Sequence, residues 1–217
     1  MKHKIFFIIT ALLLVSARVP AQFLSTVQPK PAEQTILLST GVTMKYVEQG
    51  GTGTVPVIFL HGYTDSWHSF EPVLPYLPET IHVFALTQRG HGHSSKNHDR
   101  FHMEDFAADV AAFIRQKGLG KAIIAGHSMG GVVAQQFALD YPELTLGVVI
   151  ISSAPVFHDK PGVMEFRKEV FSLADPISYA FAEGFQKSTI ENAIDPAWLD
   201  LFTRESLKLP ARLWKEV

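Results

Sequence analysis

Along the chain, apolar positions fall into two alternating kinds of run. Short continuous blocks (VPVIFLHG from residue 55, IHVFALTQ from 81, KAIIAGH from 121, LTLGVVIISSAP from 144) are separated by longer stretches of helical spacing. Uninterrupted apolar blocks of this length, bounded by turn residues, predict strands buried on both faces. In EDFAADVAAFIRQKG the apolar residues Phe106, Val110, Phe113 and Ile114 share one helical face, and Gly118 supplies the stop. MGGVVAQQFALD reads as a second helix. SWHSFEPVLPYL has helical spacing, but its prolines should break or shorten any helix. Before these, ILLST and VTMKYVEQG flank a single glycine and predict an antiparallel hairpin, with a loop at 50–53. Alternation of strand and helix predicts an α/β fold, a mostly parallel sheet with helices on both faces.

Beyond Pro155 the pattern changes. Residues 158–217 hold short helical stretches rich in Phe and Leu, broken by Asp-Pro at 175 and 195 and by Pro210, and no strand is evident. At the other end, MKHKIFFIITALLLVSARVPAQ has basic residues, the apolar run Ile5–Val15 and the small-residue sequence Val19-Pro20-Ala21. This predicts a signal peptide over 1–21 and export. A membrane anchor is the alternative, but the run is shorter than the ~18 residues of a span. Residues 22–34, with two prolines, read as an extended lead-in to a core over 35–157.

Composition narrows the classes. With 217 residues and 47% hydrophobic content, one well-buried domain is expected. Net charge is −2 with no concentrated basic tract, so nucleic acid is not the expected partner. There is no cysteine, hence no disulfide framework or lipid-attached thiol.

The candidate chemistry lies in KAIIAGHSMGG. A tight strand-to-helix turn strains its central residue and lifts the Ser128 hydroxyl clear of the sheet. Such a turn needs nearly side-chain-free positions two residues either side, and Gly126 and Gly130 occupy them, with His127 and Met129 between. The helix that follows aims its free N–H groups at the site. G-x-S-x-G alone is a weak signal, and its strength here is the strand before it and the helix after. His61-Gly62-Tyr63 closes an earlier strand, where a loop can add a second oxyanion donor to that of Met129.

With these residues in place, the chain resembles the α/β-hydrolase superfamily, in its serine-nucleophile, capped, esterase-like branch. HGYTDSWHSF resembles the family's oxyanion loop, TQRGHGHSS its arginine–glycine loop (with Thr87 where Asp is frequent), AGHSMGG its nucleophile elbow and LPARLWKEV a late cap helix. The resemblance implies Ser128 as nucleophile, Tyr63 and Met129 as backbone donors, a small ester-like substrate, no cofactor and no metal. A serine at the elbow argues against the dehalogenase and epoxide-hydrolase relatives. Lactonase, perhydrolase and carbon–carbon hydrolase relatives share the serine and stay open.

The family orders its triad Ser, acid, His. By matched position the acid and base are missing, since no histidine follows His158 and the chain stops within the 158–217 cap. Asp159, Asp175, His158, His91 and His93 are the local substitutes. The expectation is therefore the front part of an exported hydrolase, lacking its C-terminal strands. The alternative is a complete, non-catalytic binding protein. LWKEV stops in mid-helix, which favours the fragment. Finally, His91, His93, His98 and His102 form H-x-H-x4-H-x3-H, for which an exposed polar loop is a better reading than a metal site.

Overall fold

The computed structural model describes residues 29–51, 54–155 and 161–217. The segment 1–21, expected to be a signal peptide, and most of the expected lead-in lie outside the described residues. Six strands form one sheet: β1 (Glu33–Leu37), β2 (Thr43–Gln49), β3 (Pro56–Leu60), β4 (His82–Thr87), β5 (Ala122–His127) and β6 (Thr145–Ile151), in the order β1-β2-β4-β3-β5-β6. β3, β4, β5 and β6 run parallel, while the β1–β2 hairpin adds antiparallel to β4. The hairpin begins at Glu33, two residues into the segment assigned to the lead-in.

The period of two along the strands sorts the core onto two faces. Ile58, Leu60, Phe84, Leu86 and Ile124 point to one side, where they meet Phe106, Val110, Phe113 and Ile114 of α1 (Met103–Gln116) and Val133 and Phe137 of α2 (Met129–Asp140). The four α1 residues predicted to share a face are all buried. Val47, Val83 and Ala85 point to the other side, against Trp67, Phe70 and Leu74. These last come from SWHSFEPVLPYL, which folds as two 3-10 helices, Trp67–Phe70 and Leu74–Tyr76. Proline removes an N–H and fixes φ, so two tight turns form where apolar spacing alone would give one helix.

Residues 161–217 form four helices: α3 (Pro161–Phe171), α4 (Tyr179–Ser188), α5 (Pro196–Ser206) and α6 (Ala211–Glu216). The Asp-Pro signal at 195 works as a start: Asp195 accepts a hydrogen bond from Ala197 N at 2.8 Å and Pro196 takes the first helical position. Trp214, fully buried, meets Phe181, Phe185 and Tyr63 edge-on and binds the cap to the core.

At the opposite margin, β6 pairs among the described residues with β5 alone. Leu146, Val148, Val149, Ile150 and Ile151 are all exposed. A strand of this composition is built to be covered on both faces.

Candidate active site

β5 ends at His127 and α2 begins at Met129, so the whole reversal falls on Ser128. Its φ is 51° and ψ −118°, a conformation costing a non-glycine residue roughly 1–3 kcal/mol. The corner is closed so tightly that a Cβ on Gly126 would lie 2.0 Å from Gly130 O, and one on Gly130 would lie 2.2 Å from Leu60 O. Side chains are excluded at both positions by backbone, which has nowhere to go. The strain is held by hydrogen bonds: Ser128 N donates to Ile151 O at 3.0 Å, and Ser153 Oγ donates to Ser128 O at 2.6 Å. Ser128 is half-buried, and among the described residues no group hydrogen-bonds its Oγ.

The loop after β3 lies directly against this corner. A Cβ on Gly62 would sit 3.3 Å from Ser128 Cβ, 3.3 Å from His127 Nδ1 and 3.2 Å from Asp65 Oδ2. Of the expected donors, Met129 opens the first turn of α2 and Tyr63 follows Gly62 on the loop. His61 is fully buried behind them: Nδ1 donates to Gly62 O at 2.8 Å, and Nε2 accepts from Gln88 N at 3.0 Å. Gln88 Nε2 returns a bond to His61 O at 2.9 Å. With both ring nitrogens committed, His61 holds the loop and has none left for Ser128.

Electrostatics follow burial. His61 is held well below the usual imidazole range, by desolvation first and by neighbouring His91 and His127 second. His91, also fully buried, is pushed down to about 4 by desolvation. Burial raises the Asp65 carboxyl, opposed by its bond from Gln186 and by His127. Tyr63 is raised by burial too.

The substitute bases and acids among the described residues make their contacts elsewhere. His91 Nδ1 donates to Arg89 O, His93 is exposed near Glu33, and Asp175 accepts from Ala211 N at the start of α6. His158 and Asp159 lie outside the described residues. The four-histidine pattern disperses likewise: His98 meets Ser95, and His102 precedes α1. Among the described residues no group of three or more His, Cys, Asp or Glu is placed to hold a metal. The arginine of the arginine–glycine loop is a structural pin: Arg89 forks onto Asp109 of α1 at 2.7 and 2.8 Å, both residues buried.

Three groups at the site went unnoticed in the sequence. Asp65 lies within HGYTDSWHSF and Ser153 near the end of LTLGVVIISSAP, but neither has a role assigned by those runs. Gln186, about 120 residues from the loop it touches, carries no local signal at all. The Phe-rich cap sends Phe166 and Phe185 edge-on against Tyr63, at 6.4 and 5.7 Å between ring centres.

Comparison with known proteins agrees with this geometry. A family model described as the alpha/beta hydrolase fold matches residues 55–193. The chain is 37% identical over 109 residues to a 2-(acetamidomethylene)succinate hydrolase of Mesorhizobium japonicum, covering 50% of this chain and 39% of that one. It is 32% identical over 133 residues to epoxide hydrolase 1 of Caenorhabditis elegans, covering 60% and 31%. Among solved structures, the esterase RhEst1 from Rhodococcus sp. ECU1013 superposes with a TM-score of 0.73 at 22% identity, over 85% of this chain and 71% of the esterase. The chain therefore spans well under half the length of these two sequence relatives.

Proposed function

The chain belongs to the α/β-hydrolase fold family, and from that premise we propose that it is the nucleophile-bearing part of an exported serine hydrolase acting on ester-like bonds. Ser128 Oγ attacks the substrate carbonyl, and the N–H groups of Tyr63 and Met129 hold the oxyanion. The substrate's acyl C–O bond then breaks, the alcohol leaves with the proton taken from Ser128, and water attacks the acyl-enzyme to release the carboxylic acid and restore the serine. The observation that carries this reading is the strained Ser128 backbone on a corner that only glycines fit, since such strain persists only where the surroundings enforce it. An aspartate nucleophile, as an epoxide opener of this fold would use, is not what position 128 offers.

A serine hydroxyl is too weak a nucleophile without a base within ~2.6–3.2 Å of its oxygen. No described histidine bonds to Ser128 Oγ, so we assign the base and its orienting carboxylate to polypeptide other than the described residues. The aromatic cap over Tyr63 supports an apolar acyl or alcohol group on the substrate. Names among the relatives include an esterase, epoxide hydrolases and a succinate-derivative hydrolase, and the serine favours the first of these for this protein.

The test uses a fluorophosphonate probe and a short-chain p-nitrophenyl ester. We expect trace turnover from these 217 residues alone, and full turnover once a polypeptide supplying the base is joined to them. Ser128→Ala should abolish both labelling and turnover. Labelling that survives in Ser128→Ala sinks the assignment of the nucleophile. Robust turnover by the 217-residue chain removes the need for an outside base.

A further inference from the structure

Three consecutive residues of the loop after β3 are each held by a different cap helix. The Tyr63 hydroxyl donates to the carbonyl of Trp214 on α6. Thr64 Oγ1 and Ser206 Oγ of α5 share a hydrogen bond at 3.0 Å. Asp65 Oδ1 accepts from Gln186 Nε2 of α4 at 2.8 Å, and the same nitrogen lies 2.9 Å from Ser206 Oγ, joining the second and third ties. Gln186 is 4% exposed, and Thr64 and Ser206 are fully buried. Thr64 has φ 61°, a left-handed conformation that a β-branched residue adopts only under constraint. The opposite end of the loop is fixed by His61 to Gln88. Without the cap, Thr64 would relax and Tyr63, next to it, would turn with it.

From this arrangement we infer that Gln186 is a positioning residue: through Asp65 and Ser206 it makes the seating of the cap set the conformation of the loop that carries the Tyr63 N–H. A cap displaced from the core takes its three ties with it, so the second oxyanion donor is in place only when the cap is down. That consequence for catalysis rests on the serine-hydrolase reading above. The coupling of cap to loop does not.

Amide hydrogen exchange over residues 61–66 of the full chain, followed by mass spectrometry and corrected for intrinsic rates, separates the two. Gln186→Leu should raise exchange in that segment about tenfold and leave β3, β4 and β5 unchanged. Tyr63→Phe and Ser206→Ala, which each delete one hydroxyl, should raise it less, and they carry the test if Gln186→Leu fails to fold. Gln186→Glu supplies a readout that mere packing would not move. Two carboxyls can keep the tie to Asp65 only by sharing a proton, so protection should hold at acid pH and fall as pH rises to neutrality. His127 of β5 and Glu205 of α5 also face Asp65, and the pH profile of the unaltered chain controls for them. Unchanged exchange in all three neutral variants, or a Gln186→Glu profile parallel to the parent, overturns the inference. If Ser128 stays unreactive to fluorophosphonate even with a polypeptide supplying the base joined to the chain, the function fails while the exchange result stands.

Discussion

His91 is fully buried and neutral, its Nδ1 proton given to Arg89 O and its pKa near 4. In the unfolded chain the same ring titrates near ~6.5. Between these values the unfolded state binds the extra proton, so stability is whole above about pH 6.5 and falls as the solution is acidified towards 4. The difference amounts to roughly 3 kcal/mol when complete. His61, lowered in the same direction, adds to it. Urea unfolding at pH 7 and pH 4.5 should show the loss, and His91→Gln should flatten it; equal midpoints for the parent at both values refute the account. At this scale the sequence was legible where chemistry imposes local spacing. Gly126, Ser128 and Gly130 could be read from one heptapeptide because the corner's crowding is made by the residues themselves. Asp65 and Gln186 could not, because their partners are distant in the chain and their types are ordinary for a surface.

Among elements, the β5–Ser128–α2 corner is the least tolerant of change. Placing a methyl at Gly130 would drive it into Leu60 O at 2.2 Å and His61 O at 2.7 Å, both fixed in the sheet or its continuation. Gly130→Ala should cost at least about 2 kcal/mol, as overpacking against backbone does. Gly147→Ala in β6, where nothing lies within 4 Å of the added carbon, should change stability by less than about 0.5 kcal/mol. Chemical denaturation of the pair settles the point, and similar losses in both would remove the steric argument. Strands β3 to β6 and helices α1 and α2 were readable because their apolar periodicity is undisturbed. The 3-10 pair at 67–76 was readable only as a broken helix, since spacing and proline disagree there. The hairpin boundary slipped by two residues because Glu33 and Gln34 are polar and still pair with β2.

For the molecule as a whole, the uncovered margin of β6 dominates behaviour in solution. Among the described residues no strand lies beyond it, and it carries five exposed aliphatic side chains, with no charge or proline in Thr145–Ile151 to discourage pairing. We expect concentration-dependent association of the 217-residue chain in light scattering, reduced by Val149→Lys. A parent that stays monomeric at high concentration would show the margin to be harmless. In the sequence the run LGVVII reads as a strand buried on both faces, and nothing local in it marks the margin as exposed.

That margin also reaches Ser128. Ser128 receives its main-chain clasp from Ile151, the final residue of the outermost strand, and from Ser153 just past it. Ser128 is thus clasped by an edge strand that, among the described residues, has no strand on its far side. A polypeptide laid along β6 would stiffen that mounting, so pairing at this edge and steadying the Ser128 hydroxyl would be a single structural event.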